Sequence, residues 1–481
     1  MKYLLCFFLQ LNLITLSLGQ SFSEKILASD QDDISQGGIS IGEDVFFLKA
    51  VDQNYFDQVG INQKIFKSDA YLNLSDSLEI ARLLGWEKSG INTMEVESDS
   101  TFIALANVRR DSQNLAYRLR IDTALNILDS FVVANPIDTF LFWKKSFEVG
   151  TNYLFLGGKA YGGLIYPFYE VRSKATGQRQ METVFDSSAH SLIFDALKVG
   201  TDYMYVSTGR TEMGLIDSNF ELSEKNTQPL FDSAHGYLFY KLYRAGKNTA
   251  YAFGSANQKI FGSAKVDTNL SLTQKDTFSI FNDQMSVFGA ETFARGGANS
   301  FFMAASQDPV PLPSLLQPGL ERNIVVYHTD SLGNVKWFRE LGNGHYYLTT
   351  NIIATDDGGV LIFSVKYDSA TYATNKTDLS IIKLDAMGNI EPLSHEKYNL
   401  KNEGLFSIYP NPADAYLLMD GITDQQPTIT AEVIDLRGAV VLPAQEFGGN
   451  KLDISKLDPG HYLLKVVQDG KLLGLRKFVK H

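Results

Sequence analysis

The chain has 481 residues, 44% of them hydrophobic and 12% aromatic, with a formal net charge of −12. That is too long for one compact core and too apolar for a disordered chain, so two or more packed domains are expected. An acidic balance without a long Lys/Arg run argues against a nucleic-acid partner, which needs clustered positive charge against phosphate.

The first nineteen residues read as a secretory signal. Lys2 supplies the positive end, YLLCFFLQLNLITLSL the apolar stretch, and Ser17-Leu18-Gly19 the small-x-small site, with cleavage expected between Gly19 and Gln20. Gln10 and Asn12 interrupt the apolar run, which is short for a membrane span of ~20 residues. No second stretch of that length follows, so the mature chain is not expected to span a membrane. Cys6 is the only cysteine and lies inside the signal. Disulfides, thiolate catalysis and cysteine-ligated metals are thereby excluded from the mature chain. The acidic run Ser29–Asp33 has oxygen ligands suited to calcium, but it lacks the glycine and distal glutamate of an EF-hand loop and reads as a solvated loop.

From residue 40 to 395 one pattern recurs seven times. Each copy opens on a short apolar, aromatic-rich strand: EDVFFLKAV at 43, STFIALANV at 100, NYLFLGGKA at 152, DYMYVSTGR at 202, NTAYAFGSA at 248, NSFFMAASQ at 299 and GGVLIFSVK at 358. A second strand follows and ends in a polar turn that starts at Asp69, Asp122, Asp217, Asp267, Asp330 or Asp385; the third copy carries SKATGQ instead. Aspartate opens such turns by bonding its own backbone, and Gly or Asn is expected to take the left-handed residue. Short Val/Ile/Phe/Tyr-rich strands joined this way make antiparallel meanders. A period near 50 residues suits one four-stranded propeller blade per copy. The expected fold is all-β: a propeller of about seven blades over residues 20–400. Six or eight blades stay open, because Phe22–Gly38 either completes the last blade or stands apart. A large β-sandwich or solenoid is the competing architecture. The copy TDDGGVLIFSVKYDSATYATNKTDLSIIKLDAMGNI (Thr355–Ile390) resembles the degenerate propeller repeats of large secreted bacterial proteins, which implies a fold and no activity.

Catalytic motifs are missing: there is no HExxH, no G-x-S-x-G and no phosphate-cradling glycine loop. Of seven histidines, His190 and His235 share similar settings, SSAHSLIF and DSAHGYLFY. Without a third ligand they read as one inter-strand position reused by the repeat. TDSLGNVKW (Thr329–Trp337) partly resembles the Asp-box turn of sialidase-type propellers, with altered spacing; such boxes are structural turns. No cofactor or metal is called for, and no catalytic residue can be named. Two segments depart from the repeat and are read as candidate binding loops. AYGGLIYPFYEVR holds Tyr161, Tyr166, Phe168 and Tyr169, and QDPVPLPSLLQPGLER holds Pro311 and Pro313. Stiff, aromatic segments suit a preformed surface for glycan or protein. Packing over a blade edge is the plainer use of the same residues.

From Gly404 the character changes to a compact unit running to His481. Pro410-Asn411-Pro412 breaks its first strand, alternation resumes through TITAEVIDL and AVVLPAQEF around Gly438, and LDISKLDPGHYLLKVVQDGKLLGLRKFVK adds a loop and two strands. A small Ig-like β-sandwich of about seven strands is expected over 404–481. Tyr409, Pro410, Asn411 and Pro412, the turn Asp435 to Gly438, then Asp453, Leu457, Gly460 and Tyr462, and finally Lys477 to Lys480 occur in an order that resembles the C-terminal sorting domain of the type IX (Por) secretion system. The resemblance implies passage across the outer membrane of a Gram-negative cell and handling by the type IX machinery and a sortase-like peptidase. It further implies a product that is secreted or held at the cell surface. The resulting expectation is a surface or secreted propeller that binds glycan or protein. The alternative is a secreted glycosidase or peptidase whose acids, drawn from different blades, converge at the channel.

Overall fold

The computed structural model describes residues 24–27, 32–52, 62–80, 88–110, 113–135, 140–162, 164–185, 192–207, 212–226, 237–256, 260–278, 285–286, 290–307, 322–331, 333–367, 377–393, 407–420, 429–435, 440–446, 451–468 and 471–481. The signal segment with Gly19 and Gln20, and His190, His235, Pro311, Pro313 and Gly438, lie outside them. The chain divides into two compact units, 1–393 and 394–481.

Among the described residues the first unit holds seven antiparallel sheets, each built on a meander. Their opening strands are Asp32–Ile41, Lys88–Ser98, Phe140–Val149, Ile193–Val199, Tyr237–Gly246, the split pair Met285–Ser286 and Phe293–Gly297, and Tyr346–Ala354. The seven aromatic-rich strands of the repeat are the second strand of each sheet, starting at Asp44, Thr101, Asn152, Asp202, Thr249, Ser300 and Val360. Apolar residues alternate to both faces of these strands, so no sheet can cover itself and each needs two neighbours. Seven buried clusters meet that need, one between every successive pair of sheets. Phe46 and Ile65 pack with Ile91 and Phe102, and Ile103 and Leu105 with Trp143 and Phe155. The same pattern continues round the molecule. The last sheet closes on the first through Phe363 and Ile381 against Val45 and Phe47. A closed ring of radial four-stranded sheets is a β-propeller.

The described parts of the segment Phe22–Gly38 serve two sheets. Lys25–Leu27 pairs with Asp378–Leu384 in the last sheet, and Asp32–Ile41 opens the first. Glu24 fixes this join. Its carboxylate accepts hydrogen bonds from Ser380 Oγ at 2.6 Å and Tyr347 Oη at 3.2 Å, and it pairs with the Lys366 ammonium. A strand from the start of the first unit thus completes the sheet formed by that unit's last strands, so opening the ring would mean losing both pairing and charge.

The aspartate turns join the third and fourth strands. In five of them one carboxylate oxygen accepts the backbone N–H two and four residues on, as Asp122 does from Ala124 at 3.0 Å and Asn126 at 2.8 Å, and Asp330 accepts from Asn334 N at 2.9 Å. The left-handed residue is not where sequence reasoning put it. It falls on Leu72, Leu125, Phe220 and Leu270 in four turns, and on glycine only at Gly333 and Gly388. A left-handed L-residue costs about 1–2 kcal/mol. Burying a leucine returns about 1.5–3 kcal/mol, and Leu72, Leu125 and Leu270 are all buried in the cluster shared with the preceding sheet. Packing outweighs strain. At Gly388 the knob comes from the other side: Trp337 of the preceding sheet covers the turn, and a Cβ on Gly388 would lie 2.8 Å from its ring.

The second unit is a sandwich of a three-stranded and a four-stranded antiparallel sheet. The three-stranded sheet is Ser407–Tyr409, Tyr416–Asp420 and Lys451–Asp453. The other runs Val440–Glu446, Ile429–Asp435, Gly460–Gln468, Lys471–Lys480 in spatial order. Leu417, Val433, Ile454, Leu464, Val466 and Phe478 form its core.

Candidate functional site

The opening strands line the axis of the ring, and six of the seven share a defect. A β-bulge interrupts pairing at Gln36-Gly37, Asn92, Lys144, Phe194, Tyr240 and Thr350. The seventh, in the sixth sheet, is broken outright by the 3-10 turn Ala290–Thr292. Bulges re-aim the residues beside them. Here they free backbone donors that side chains of the preceding sheet capture. Asp195 Oδ2 accepts from Leu242 N at 2.8 Å, Ser306 Oγ from Thr349 N at 2.8 Å, and Gln63 Oε1 from Ile91 N. The bulge at Lys144 also depends on glycine across the ladder, since a Cβ on Gly157 would sit 1.9 Å from the Phe142 carbonyl oxygen.

At this level five successive sheets contribute charges of alternating sign: Glu95, Lys145, Asp195, Lys241 and Glu291. Lys145 Nζ bridges Glu95 at 3.4 Å and Asp195 at 3.2 Å, and Lys241 Nζ lies 3.9 Å from Glu291. Burial alone would lower the lysines; Asp195 and Glu95 outweigh it at Lys145, and Glu291 leads the carboxylates that outweigh it at Lys241, so both stay protonated above their usual range. Burial pushes the Glu95 carboxyl up, against the pull of Lys145. Alternation cannot close round seven sheets, an odd number, and neutral residues occupy the remaining arc: Asn351 and Ser35, both buried. Among the described residues both amide atoms of Asn351, the hydroxyl of Ser35 and Oε1 of Glu95 have no hydrogen-bond partner.

This cluster was missed in the sequence. Its signal is the spacing of Glu95, Lys145, Asp195, Lys241 and Glu291, near the period of the blades. Carboxylates do converge on the axis, as a hydrolase would require. Each faces a lysine, however, and Asp195 additionally holds the Leu242 and Ala196 backbone N–H groups.

The aromatic segment 160–172 is not a loop, and the reading of it as one is corrected. Its residues belong to two paired strands, Asn152–Tyr161 and Leu164–Ser173, joined at Gly162. Alternation sends Phe168 and Tyr169 into the inter-sheet cores, where both are fully buried. Tyr161 and Tyr166 remain near the tip, stacked with centroids 4.8 Å apart, and Tyr161 is exposed. Lys159 lies over the Tyr161 ring at 5.9 Å and pairs with Glu182. Pro311 and Pro313 lie outside the described residues.

In the terminal unit the motif residues hold one another. Asn411 Oδ1 accepts from Val479 N at 2.9 Å, Ala413 N donates to Val479 O at 2.8 Å, and His481 N donates to Ala413 O at 3.0 Å. The segment Tyr409 to Ala413 therefore clamps the final strand that carries Phe478 and Lys480, with both X–Pro bonds cis. Asp453 accepts from Ser455 N at 2.8 Å, Leu457 is buried, and Tyr462 Oη donates to Asp458 O at 2.8 Å, closing the loop before Gly460. Asp435 pairs with Tyr462 across the sheet, and Lys477 lies in the last strand.

Comparison with curated proteins returned no match. Similar solved structures include the WD40 domain of Toxoplasma gondii coronin, 9% identical with TM-score 0.39, covering 76% of this chain and 84% of that one. Another is the β-propeller domain of the Trilobed protease from Pyrococcus furiosus, 9% identical with TM-score 0.40, covering 77% and 98%. Pyrococcus horikoshii acylaminoacyl peptidase is 10% identical with TM-score 0.42, covering 90% of this chain and 57% of that one. The chain thus spans little more than half the length of that peptidase. These scores are low, and the propeller assignment rests on the strand pairing and the closed ring of cores. Residues 407–481 match the family model of the secretion system C-terminal sorting domain, the family that the motifs from Tyr409 to Lys480 resemble.

Proposed function

We propose that the chain is cargo of the type IX secretion system, displayed on the cell surface or released, and that its propeller is a binding module. The observation that carries the export reading is the match of residues 407–481 to the sorting domain. The apolar segment Met1–Gly19 supports it as the signal for the first membrane. The stacked Tyr161–Tyr166 pair beside the Lys159–Glu182 ion pair supports binding: a flat aromatic face with polar groups at its edge suits the alternating apolar and hydroxyl faces of a sugar ring. Fractionation of cells expressing the full chain and a chain ending at residue 403 tests the export reading. The full chain is expected outside the outer membrane and the shortened one in the periplasm; equal export of both would overturn it. Glycan and peptide arrays probed with the mature protein and with Tyr161→Ala/Tyr166→Ala test the binding face. Loss of capture in the folded double variant is expected, and unchanged capture would sink it.

A second reading, a hydrolase working at the axis, is favoured by Glu95, whose carboxyl is raised by burial beside Asp195. Turnover of glycosides or peptides that disappears in Glu95→Gln would establish it.

A further inference from the structure

We propose that the propeller axis holds a small oxyanion, the carboxylate of an acidic ligand or inorganic phosphate, bound by Lys144 and Asn92. Both are the bulge residues of neighbouring sheets, so the same distortion turns each from its ladder. Lys144 Nζ donates to the Asn92 backbone carbonyl at 3.1 Å, which ties the ammonium to that residue. Among the described residues Lys144 has no other hydrogen-bond partner and no ion pair, while Asn92 Nδ2 is buried without an acceptor. The neighbouring cations are committed otherwise: Lys145 to Glu95 and Asp195, and Lys241 to Glu291. What remains among the described residues is one ammonium without an ion pair and one amide N–H without an acceptor. A secluded charge left unpaired is costly, commonly by several kcal/mol, and a charge-assisted bond to an anion removes that cost. Burial, aided by Lys241, holds the Lys144 amine below its usual range against the more distant pull of Glu291, with which it forms no ion pair. The two axial lysines Lys145 and Lys241 pair with Glu95, Asp195 and Glu291, and among the described residues Lys144 makes no ion pair with any of these carboxylates. Gly157, where any side chain would collide with Phe142, keeps the bulge and with it the placement of Lys144.

The site is separate in evidence from the tyrosine pair and stands whether or not that face binds a sugar. Acetate and inorganic phosphate, each titrated at constant ionic strength and neutral pH, are the probes, read by calorimetry and by the shift in melting temperature. Saturable stabilisation is expected from at least one probe, with affinity weakened about tenfold or more in Lys144→Met and less in Asn92→Ala. Acetate alone would identify a carboxylate ligand, and phosphate alone a phosphate. Absence of saturation with both probes overturns the proposal, as does an unchanged response in Lys144→Met. Should that variant fail to fold, Lys144→Gln takes its place with the same two outcomes.

Discussion

The rim turns and the axis of the propeller are both repeated blade by blade, but they repeat different things. At the turns the residue recurs: Asp69, Asp122, Asp217, Asp267, Asp330 and Asp385 each fold back on their own backbone. At the axis the geometry recurs, a bulge in nearly every opening strand, while the side chains beside it change from Thr93 to Lys145, Asp195, Lys241 and Asn351. A fixed residue in a fixed turn is what assembly needs. A fixed distortion with varied chemistry leaves one place in a repeated fold where a site can be built without rebuilding the blade.

The sharpest way to break this contrast is at Gly157. Alanine there should cost about 3 kcal/mol or more, because its Cβ meets the rigid Phe142 carbonyl instead of a yielding side chain. Urea unfolding would measure it, and a neutral outcome would mean that the Lys144 bulge does not depend on that close approach. Next in size is a group belonging to neither region. His328 is buried against Phe302 and Trp337, with Ser300 Oγ 2.7 Å from Nε2, and burial lowers its pKa to about 4. The unfolded chain protonates this imidazole near pH 6.5 and the folded one does not. Stability should therefore be full above pH 6.5 and fall by about 3 kcal/mol as pH drops to 4, flattening below. His328→Phe should remove that slope; an unchanged slope would assign it elsewhere.

Leu125→Ala tests the third level. The left-handed backbone stays strained while the buried methyl groups vanish, so about 2 kcal/mol of unfolding free energy should be lost, read from the shift in denaturant midpoint. Loss well below this would mean that strain, not packing, dominates the turn. Here sequence reasoning was half right. It located every repeated strand and every aspartate turn, because those signals are local and period-two or turn-specific. It misplaced the left-handed residue, because the compensation lies in the preceding sheet, some fifty residues away. The axis failed for the same reason: Glu95 and Lys145 look like ordinary solvent-facing alternation until ring closure brings their strands side by side. Phe168 and Tyr169 misled in the opposite direction, their crowding near Gly162 and Gly163 resembling a loop when they are the core face of a hairpin.

The smallest effect belongs to the turn aspartates themselves, and Asp385 is the one to try. Its carboxylate accepts from Met387 N at 2.8 Å, Asn389 N at 2.7 Å and Asn389 Nδ2 at 2.9 Å, but the turn is exposed, so water can replace it. Asp385→Ala should therefore cost only about 1 kcal/mol, well under the sum of three bonds. Gly388 and the bonds that Arg339 donates to the Gly388 carbonyl at 2.7 Å and the Met387 carbonyl at 3.0 Å remain to hold the chain reversal. Although burial pulls the other way, those same donors hold the Asp385 carboxyl below its ordinary range. Its contribution is complete above the unfolded pKa and fades as pH falls past it, opposite in residue type but equal in direction to that of His328. The two separate by window: the histidine acts between pH 6.5 and about 4 and the aspartate only below it. If Asp385→Ala instead cost as much as Gly157→Ala, the turns would be nuclei of the blade, and the division between a rim that assembles and an axis that varies would have to be withdrawn.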